Sequence, residues 1–429
     1  MNLDARGFLS AVSEIAPRFA GAIPSGPDVS LRQYLKESVA PSIAGPRSPF
    51  LEHAAKALHT FLTQTQNGLS WSSSRADDAC TEFLAFPVMQ QADHSGLLLE
   101  TEILLNNVLF AVGISLHGRE RMFTLQCSTV KCVTRLNPVC GPGYLHLAGD
   151  TYRVFDFSKR TLKDTNVCCL PGSVSFWLRT EGGVALDRVD TSVRYRNAED
   201  AFLAANAALW GEGSGVERVA VDERYTSELV ALHVEDRSSP VHALLFDDLV
   251  RKTCLAIRDE YARKHGQFVS SVTDFFWLRR DSRLLPVRLV SPNGLGETPF
   301  TPAGIASALR EGRLYADKYI AYLVRCLLPG IVAVGGTSQQ DYLALFQQLT
   351  CEVHSKHPFI DEGVMTYVRD DLSRLGGRPL LEPDAELQRL LDTSSPGALP
   401  AQLDTQLDRM VGDTIGTLSC ARYLLRTDG

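Results

Sequence analysis

The sequence predicts an α+β fold, with a helical N-terminal region, a β-rich middle built as a meander or antiparallel sheet, and a mixed α/β C-terminal half. Three observations predict it. Apolar residues recur at helical spacing over the first ninety or so residues. Short runs of β-formers separated by turn residues follow Pro87, and from about residue 197 helical patterns return among short apolar runs. The expected divisions are a helical region over 1–92, an antiparallel β-rich domain over 93–196, a mixed α/β domain over 197–393, and a linker with a last helix over 394–429.

The opening MNLDARGFLSAVSEIAPRF reads as a first helix, because it lacks the basic leader and unbroken apolar stretch of a secretory signal. SLRQYLKESVA and SPFLEHAAKALHTFLTQTQNG follow, with Ser30 and Ser48 as expected N-caps. In the second, Leu51, Ala54, Ala55, Leu58 and Leu62 form one face. Beyond Pro87, LLLETEIL, the pair Asn106-Asn107 and VLFAVGISL read as strand, turn and strand of a meander that continues through MFTLQCSTVKCV. YLHLAGDTYRVFDF predicts a hairpin turning at Gly149-Asp150, and SVSFWLR and VDTSVRYR add strands.

PVHALLFDDLVRKTCLAIRDEYARKHG then predicts one long helix, with Phe246, Val250, Cys254, Ile257 and Tyr261 on a stripe and Gly266 at its end. On its other face Asp247 with Arg251 and Asp248 with Lys252 stand four apart, the spacing of solvated ion pairs. DFFWLRRDSRLLPVRLV reads as a hairpin turning at Arg280 to Arg283. Thr301 caps the next helix, Pro302 takes its first position and Gly312 closes it, and LYADKYIAYLVRCLL forms another. GIVAVGGTSQQDYLALFQQL predicts a buried strand, a Gly335-Gly336 corner and a helix, with Thr337 as N-cap and Gln340 completing a capping box. A short helix at DAELQRLLD, a TSSPGALP linker and a last helix bearing Leu403, Leu407 and Met410 complete the chain.

Composition narrows the function. Hydrophobic residues make up 45% and charged residues 22% of 429, values of a globular chain rather than a disordered one. A net charge of −7 argues against a surface built to hold nucleic acid or anionic lipid. The most apolar stretch is interrupted by Arg325 and Pro329, so no membrane span is expected. Ten cysteines without an export signal read as reduced thiols in a cytoplasm.

Four places carry candidate chemistry. Gly335, Gly336 and Thr337 open a helix whose amides attract phosphate or carboxylate. The corner lacks the glycine patterns of P-loops and dinucleotide folds, so it names no cofactor. Arg279, Arg280 and Arg283 of the hairpin are cofactor- or anion-binding candidates, although strand alternation sends Arg279 and Arg280 to opposite faces. His354 and His357 share a helical face and are the acid–base candidates; a last helical turn stopped by Pro358 explains the same spacing. Cys127, Cys132, Cys140, Cys168 and Cys169, with His146 nearby, lack the paired spacing of a zinc knuckle, and no metal is expected.

GEGSGVERV, with Gly211, Gly213, Gly215 and Arg218, resembles the third signature motif of class II aminoacyl-tRNA synthetases. That resemblance implies an ATP contact for Arg218. It covers nine residues, and Glu212 and Ser214 stand where that family favours apolar side chains. The sequence reading is a cytosolic enzyme, a transferase or ligase before other classes, acting on a small anionic substrate or nucleotide; a homo-oligomer is compatible with it. The alternative is a non-catalytic binding or assembly protein that presents the β-rich middle and terminal helices.

Overall fold

The structure is a computed structural model, and it describes residues 29–414 apart from 43–46, 65–69, 95, 128–134, 137–138, 159–160, 162–165, 171, 212–214, 282, 290–294, 378–379 and 382. The expected first helix, Cys132 and the end of the chain lie outside the described residues.

The chain first lays down helices α1 (Leu31–Ser38), α2 (Leu51–Thr63) and α3 (Ser73–Ala85). Strand β1 (Val88–His94), helix α4 (Thr101–Leu116) and strand β2 (Arg121–Cys127) then form a strand–helix–strand unit. Short strands follow: β3 (Arg135–Leu136), β4 (Val139–Cys140), β5 (Tyr144–Leu147), β6 (Asp150–Phe155) and β7 (Phe176–Arg179). Next come α5 (Ala198–Trp210), β8 (Glu217–Val221), α6 (Glu223–Glu235), α7 (Pro240–Phe246), α8 (Asp248–Lys264), the hairpin β9 (Phe276–Arg280) and β10 (Arg283–Pro286), and α9 (Pro302–Arg310). The last part holds β11 (Leu314–Ala316), α10 (Lys318–Tyr322), β12 (Val332–Gly335), α11 (Thr337–Lys356), α12 (Glu362–Arg369), β13 (Ser373–Leu375), α13 (Ala385–Thr393) and short helical turns.

The fold is α+β in composition, and its centre is a five-stranded sheet in the order β13-β12-β1-β2-β8, every pairing parallel. Counted by first appearance in this sheet, the strands run 3-2-1-4-5 from β8 to β13, the order of a doubly wound sheet. β1 connects through α4 to β2 on one side, whereas β12 connects through α11 to β13 on the other. Right-handed crossovers in opposite directions place those two helices on opposite faces. The central strands are buried on both faces; β12 is buried along its whole length. Small antiparallel sheets flank this centre. β5, β6 and β7 pack Leu145, Val154, Phe155 and Phe176 against Phe202 of α5, and β10-β9-β11 forms a second. Among the described residues no helix is long and apolar enough to cross a membrane.

Many expected elements form as read. Ser30 caps α1, Thr301 caps α9, Asp384 caps α13, and the named face of α2 is buried. Others differ for identifiable reasons. The expected strand–turn–strand over 97–116 is the helix α4, buried from Ile103 to Ile114 on nearly every side. Helical burial all round erases the polar stripe that betrays a helix, and the apparent turn residue Asn107 is satisfied inside it. Its Nδ2 donates to the Ile103 carbonyl at 2.9 Å, and its Oδ1 accepts from Arg218 Nε at 2.7 Å. The hairpin of β5 and β6 turns at Ala148-Gly149, one residue earlier than expected, both in left-handed backbone. The strand expected over VDTSVRYR reduces to a single bridge between Val174 and Tyr195.

The long helix expected from 240 is broken at Asp247, whose carboxylate caps α8 instead of pairing with Arg251; Asp248 pairs with both Arg251 and Lys252. Ser48 does not cap α2, which begins after Phe50; its hydroxyl donates to the Leu328 carbonyl at 2.5 Å. LYADKYIAYLVRCLL divides into β11, α10 and a π-helical turn over Leu323–Leu327. Thr337 is not the N-cap of α11: Gly336 is, without a side-chain bond, so the expected capping box is absent. Met410 is exposed rather than on a buried helical face.

Candidate functional site

In an open doubly wound sheet, ligands sit beyond the carboxyl ends of the strands. β8 delivers Asp222, Glu223 and Arg224 to that edge, and α5, which runs back toward the start of β8, brings its N-terminus there with Arg196, Asn197, Glu199 and Asp200. The residues tie themselves together. Asn197 caps α5 by accepting from Asp200 N at 2.8 Å, and Asp222 caps α6 by accepting from Arg224 N at 2.9 Å. Asp200, buried, accepts from Arg196 Nε and Arg224 Nη1, each at 2.8 Å, while Arg224 Nη2 meets Asp222 at 2.5 Å. The chain Arg196–Asp200–Arg224–Asp222 locks two helix starts at the sheet edge.

Beside this network lies a cavity of about 360 Å³, lined by Cys168, Leu170, Arg196, Glu199, Arg224 and Arg279 among others. Arg224 spends its donors on carboxylates, so it shapes the wall. Arg196 commits only Nε and is half exposed. Arg279 comes from β9, on the strand face of Trp277, and makes no ion pair with a carboxylate among the described residues. The cavity therefore offers one unneutralised guanidinium and the outer donors of a second, with the Glu199 carboxylate and the Cys168 thiol as groups able to exchange a proton.

Behind the wall, the 3-10 turn Val167–Cys169 sets two thiols side by side, Sγ to Sγ 3.8 Å. Tyr315, Trp277 and Leu284 pack against them. The bond from Cys168 lowers the Cys169 pKa against the opposing effect of burial, and Arg279 adds to the lowering. The same bond, then burial and Glu199, hold Cys168 protonated well above the usual thiol range. Burial also raises the Glu223 carboxyl to about 7, opposed by Arg325, which stands buried on the π-helical turn.

Of the binding and acid–base candidates, Arg279 alone lines this cavity, together with Cys168 of the candidate cysteine cluster. Arg280 and Arg283 pair across the hairpin on its other face, as alternation requires; all three arginines are exposed. Gly335 and Gly336 lie at the carboxyl end of β12 and Thr337 opens α11, beside the reversal of strand order between β1 and β12 rather than in the cavity wall. Neither glycine needs positive φ. His354 ends α11 as a buried cap: Nδ1 accepts from the Phe359 and Ile360 amides at 3.3 Å and Nε2 meets Glu362 at 3.2 Å. His357 is the C-cap residue of the same helix. No group of metal-binding side chains occurs among the described residues. His146 is exposed and bonds Thr151. Gly211 ends α5 and Arg218 lies near the start of β8, at the sheet edge opposite the cavity, so neither contributes to it; Gly213 lies outside the described residues.

Sequence reading passed over Arg196, Glu199 and Arg224 as site residues and weighed Cys168 only as a metal ligand. Two carboxylate–arginine clusters at helix starts, RNAED and VDER, were the available signal. No family model matches this chain, and no curated protein matches it.

Proposed function

We propose that the protein is an enzyme acting on a small substrate that carries a phosphate or carboxylate, nucleotides included, held in the cavity at the carboxyl edge of the parallel sheet. The observation that carries this reading is Arg279: an exposed cation on the cavity wall, on the β9 face of Trp277, with no ion pair to a carboxylate among the described residues. Arg196 adds outer donors, and the Glu199 carboxylate and the protonated Cys168 thiol line the same wall. Planar guanidinium donors suit bidentate contact with an oxyanion, each such charge-assisted bond adding about 1.5–3 kcal/mol. Transfer or ligation chemistry on such a substrate fits a wall that fixes an anion and presents a carboxylate and a thiol.

The test is a thermal-shift and calorimetric panel of inorganic phosphate, pyrophosphate, nucleotides and small dicarboxylates. A binder should raise the melting temperature by a few degrees at a hundredfold excess over its Kd, and Arg279→Gln should weaken it tenfold or more without altering the unliganded melting temperature. No shift across the panel, or equal binding by the variant, would overturn the reading. A stoichiometric protein partner recovered with an unresponsive chain would instead favour the assembly alternative.

A further inference from the structure

The cavity wall carries a chemical feature that anion binding does not use. Cys168 and Cys169 are adjacent residues of one tight turn, both buried by Tyr315 and the hairpin, and Cys168 also faces the cavity. Among the described residues the other buried free cysteines, Cys80, Cys254 and Cys326, belong to the large apolar core, where no second thiol pairs with them. From the adjacent pair we infer a reversible dithiol site: Cys168 and Cys169 close to a vicinal disulfide on reaction with a small-molecule disulfide that enters the cavity.

The distances allow closure. The sulfurs are 3.8 Å apart, and a disulfide needs about 2.0 Å, an approach within reach of side-chain rotation. Neighbouring Cα atoms across a trans peptide are about 3.8 Å apart, below the usual disulfide range of roughly 4.4–6.8 Å, so the closed form is strained and readily reduced. That is the property of a switch and not of a staple. Charge around the pair is uneven: it favours ionisation of Cys169 and keeps the proton on Cys168. Arg279 of β9 stands beside Cys169, and the carboxylates of Glu199 and Glu223 and the phenol of Tyr315 surround Cys168 and the cavity side. Cys169 is therefore the thiolate of the pair, and the Cys168 proton passes to it along the sulfur–sulfur contact as the cavity-facing sulfur becomes the attacking thiolate.

That thiolate displaces one thiolate from the small disulfide and forms a mixed disulfide. The second cysteine then displaces the other, and the two protein protons end on the two released thiolates. The protein dithiol is oxidised by two electrons and the small disulfide is reduced to two thiols. Closure draws Cys169 away from Arg279 and changes the wall that holds a ligand.

The experiment uses the full chain, reduced and desalted, then exposed to hydroxyethyl disulfide, alkylated and digested with trypsin. The peptide from Asp164 to Arg179, which contains both cysteines, should become unalkylated and about 2 Da lighter than its reduced form, and dithiothreitol should reverse this. Cys169→Ser should stop at the mixed disulfide on Cys168. Independently, phenylarsine oxide should bind the wild type one to one and lose that stoichiometric binding in Cys168→Ser. A peptide that stays doubly alkylated, a stable mixed disulfide in the wild type, or absent arsenical binding would overturn the inference. These are readouts of mass and thiol chemistry, so they fail or succeed apart from any anion binding.

Discussion

Buried charge decides the acid behaviour of single residues here. His233 is fully buried, its Nδ1 held 2.8 Å from the Ser239 hydroxyl and its ring 5.0 Å from that of His53. Burial first, and then the neighbouring imidazole, push its pKa down to about 3. The unfolded chain takes up this proton near pH 6.5, so between about 6.5 and 3 the unfolded state binds more protons than the folded one. Stability is therefore fully present above pH 6.5 and is lost as pH falls through that window, by an amount on the order of 5 kcal/mol. His233→Phe, which keeps a ring against Phe50 and His53, should flatten this acid limb in urea titrations at a series of pH values; an unchanged slope would place the acid sensitivity elsewhere. Arg279 shows the same scale from the sequence side. Alternation alone separated it from Arg280, and the hairpin realised that separation. No local pattern could indicate that Cys168, more than a hundred residues earlier, would share its cavity.

Elements were legible where one face meets solvent and illegible where none does. α1, α9 and the β9–β10 hairpin carry caps, turns and alternation that act locally, so their sequences announce them. α4 is surrounded by protein, and its unbroken apolar sequence with a central Asn pair mimics two strands and a turn. β13 is three residues long and exists because β12 offers an edge, which no propensity reveals. Glycines divide in the same way. At Gly330, between the π-helical turn and β12, φ is 70° and an added Cβ would collide with the Tyr367 ring. At Gly336 φ is −78° and a Cβ meets nothing within 4 Å. Gly330→Ala should thus cost about 2–4 kcal/mol, combining left-handed strain with displacement of a packed ring, whereas Gly336→Ala should fall within about 0.5 kcal/mol of neutral or stabilise. Denaturant midpoints of the two variants measure the contrast, and equal losses would show that the corner at 336 is constrained after all.

At the scale of the molecule, the parallel order is set by pairings between distant segments. β1 joins β2, a short crossover away, and β12, which follows more than two hundred residues later. A sequence read along its length gives β2 and β12 but neither their partners nor that order, and the order is what places the carboxyl edge, the cavity and the reversal beside Gly336 on one side. Its centre carries an unresolved polar load. Gln90 lies on β1 between Val334 and Thr124, 1% exposed, and among the described residues neither its amide nitrogen nor its amide oxygen has a hydrogen-bond partner. Leaving both groups unpaired in the interior costs stability, on the order of 1–3 kcal/mol per group, which a strand kept only for packing would have no reason to carry. Gln90→Met keeps the length of the side chain and removes the two polar atoms, and should raise stability by about 1–2 kcal/mol in urea unfolding. A loss exceeding about 1 kcal/mol would mean that the amide is satisfied in solution. If the gain in stability is accompanied by weaker binding of whichever anion the panel identifies, the centre of the sheet is part of the ligand site, extending it from the arginine wall to the point where the strand order reverses.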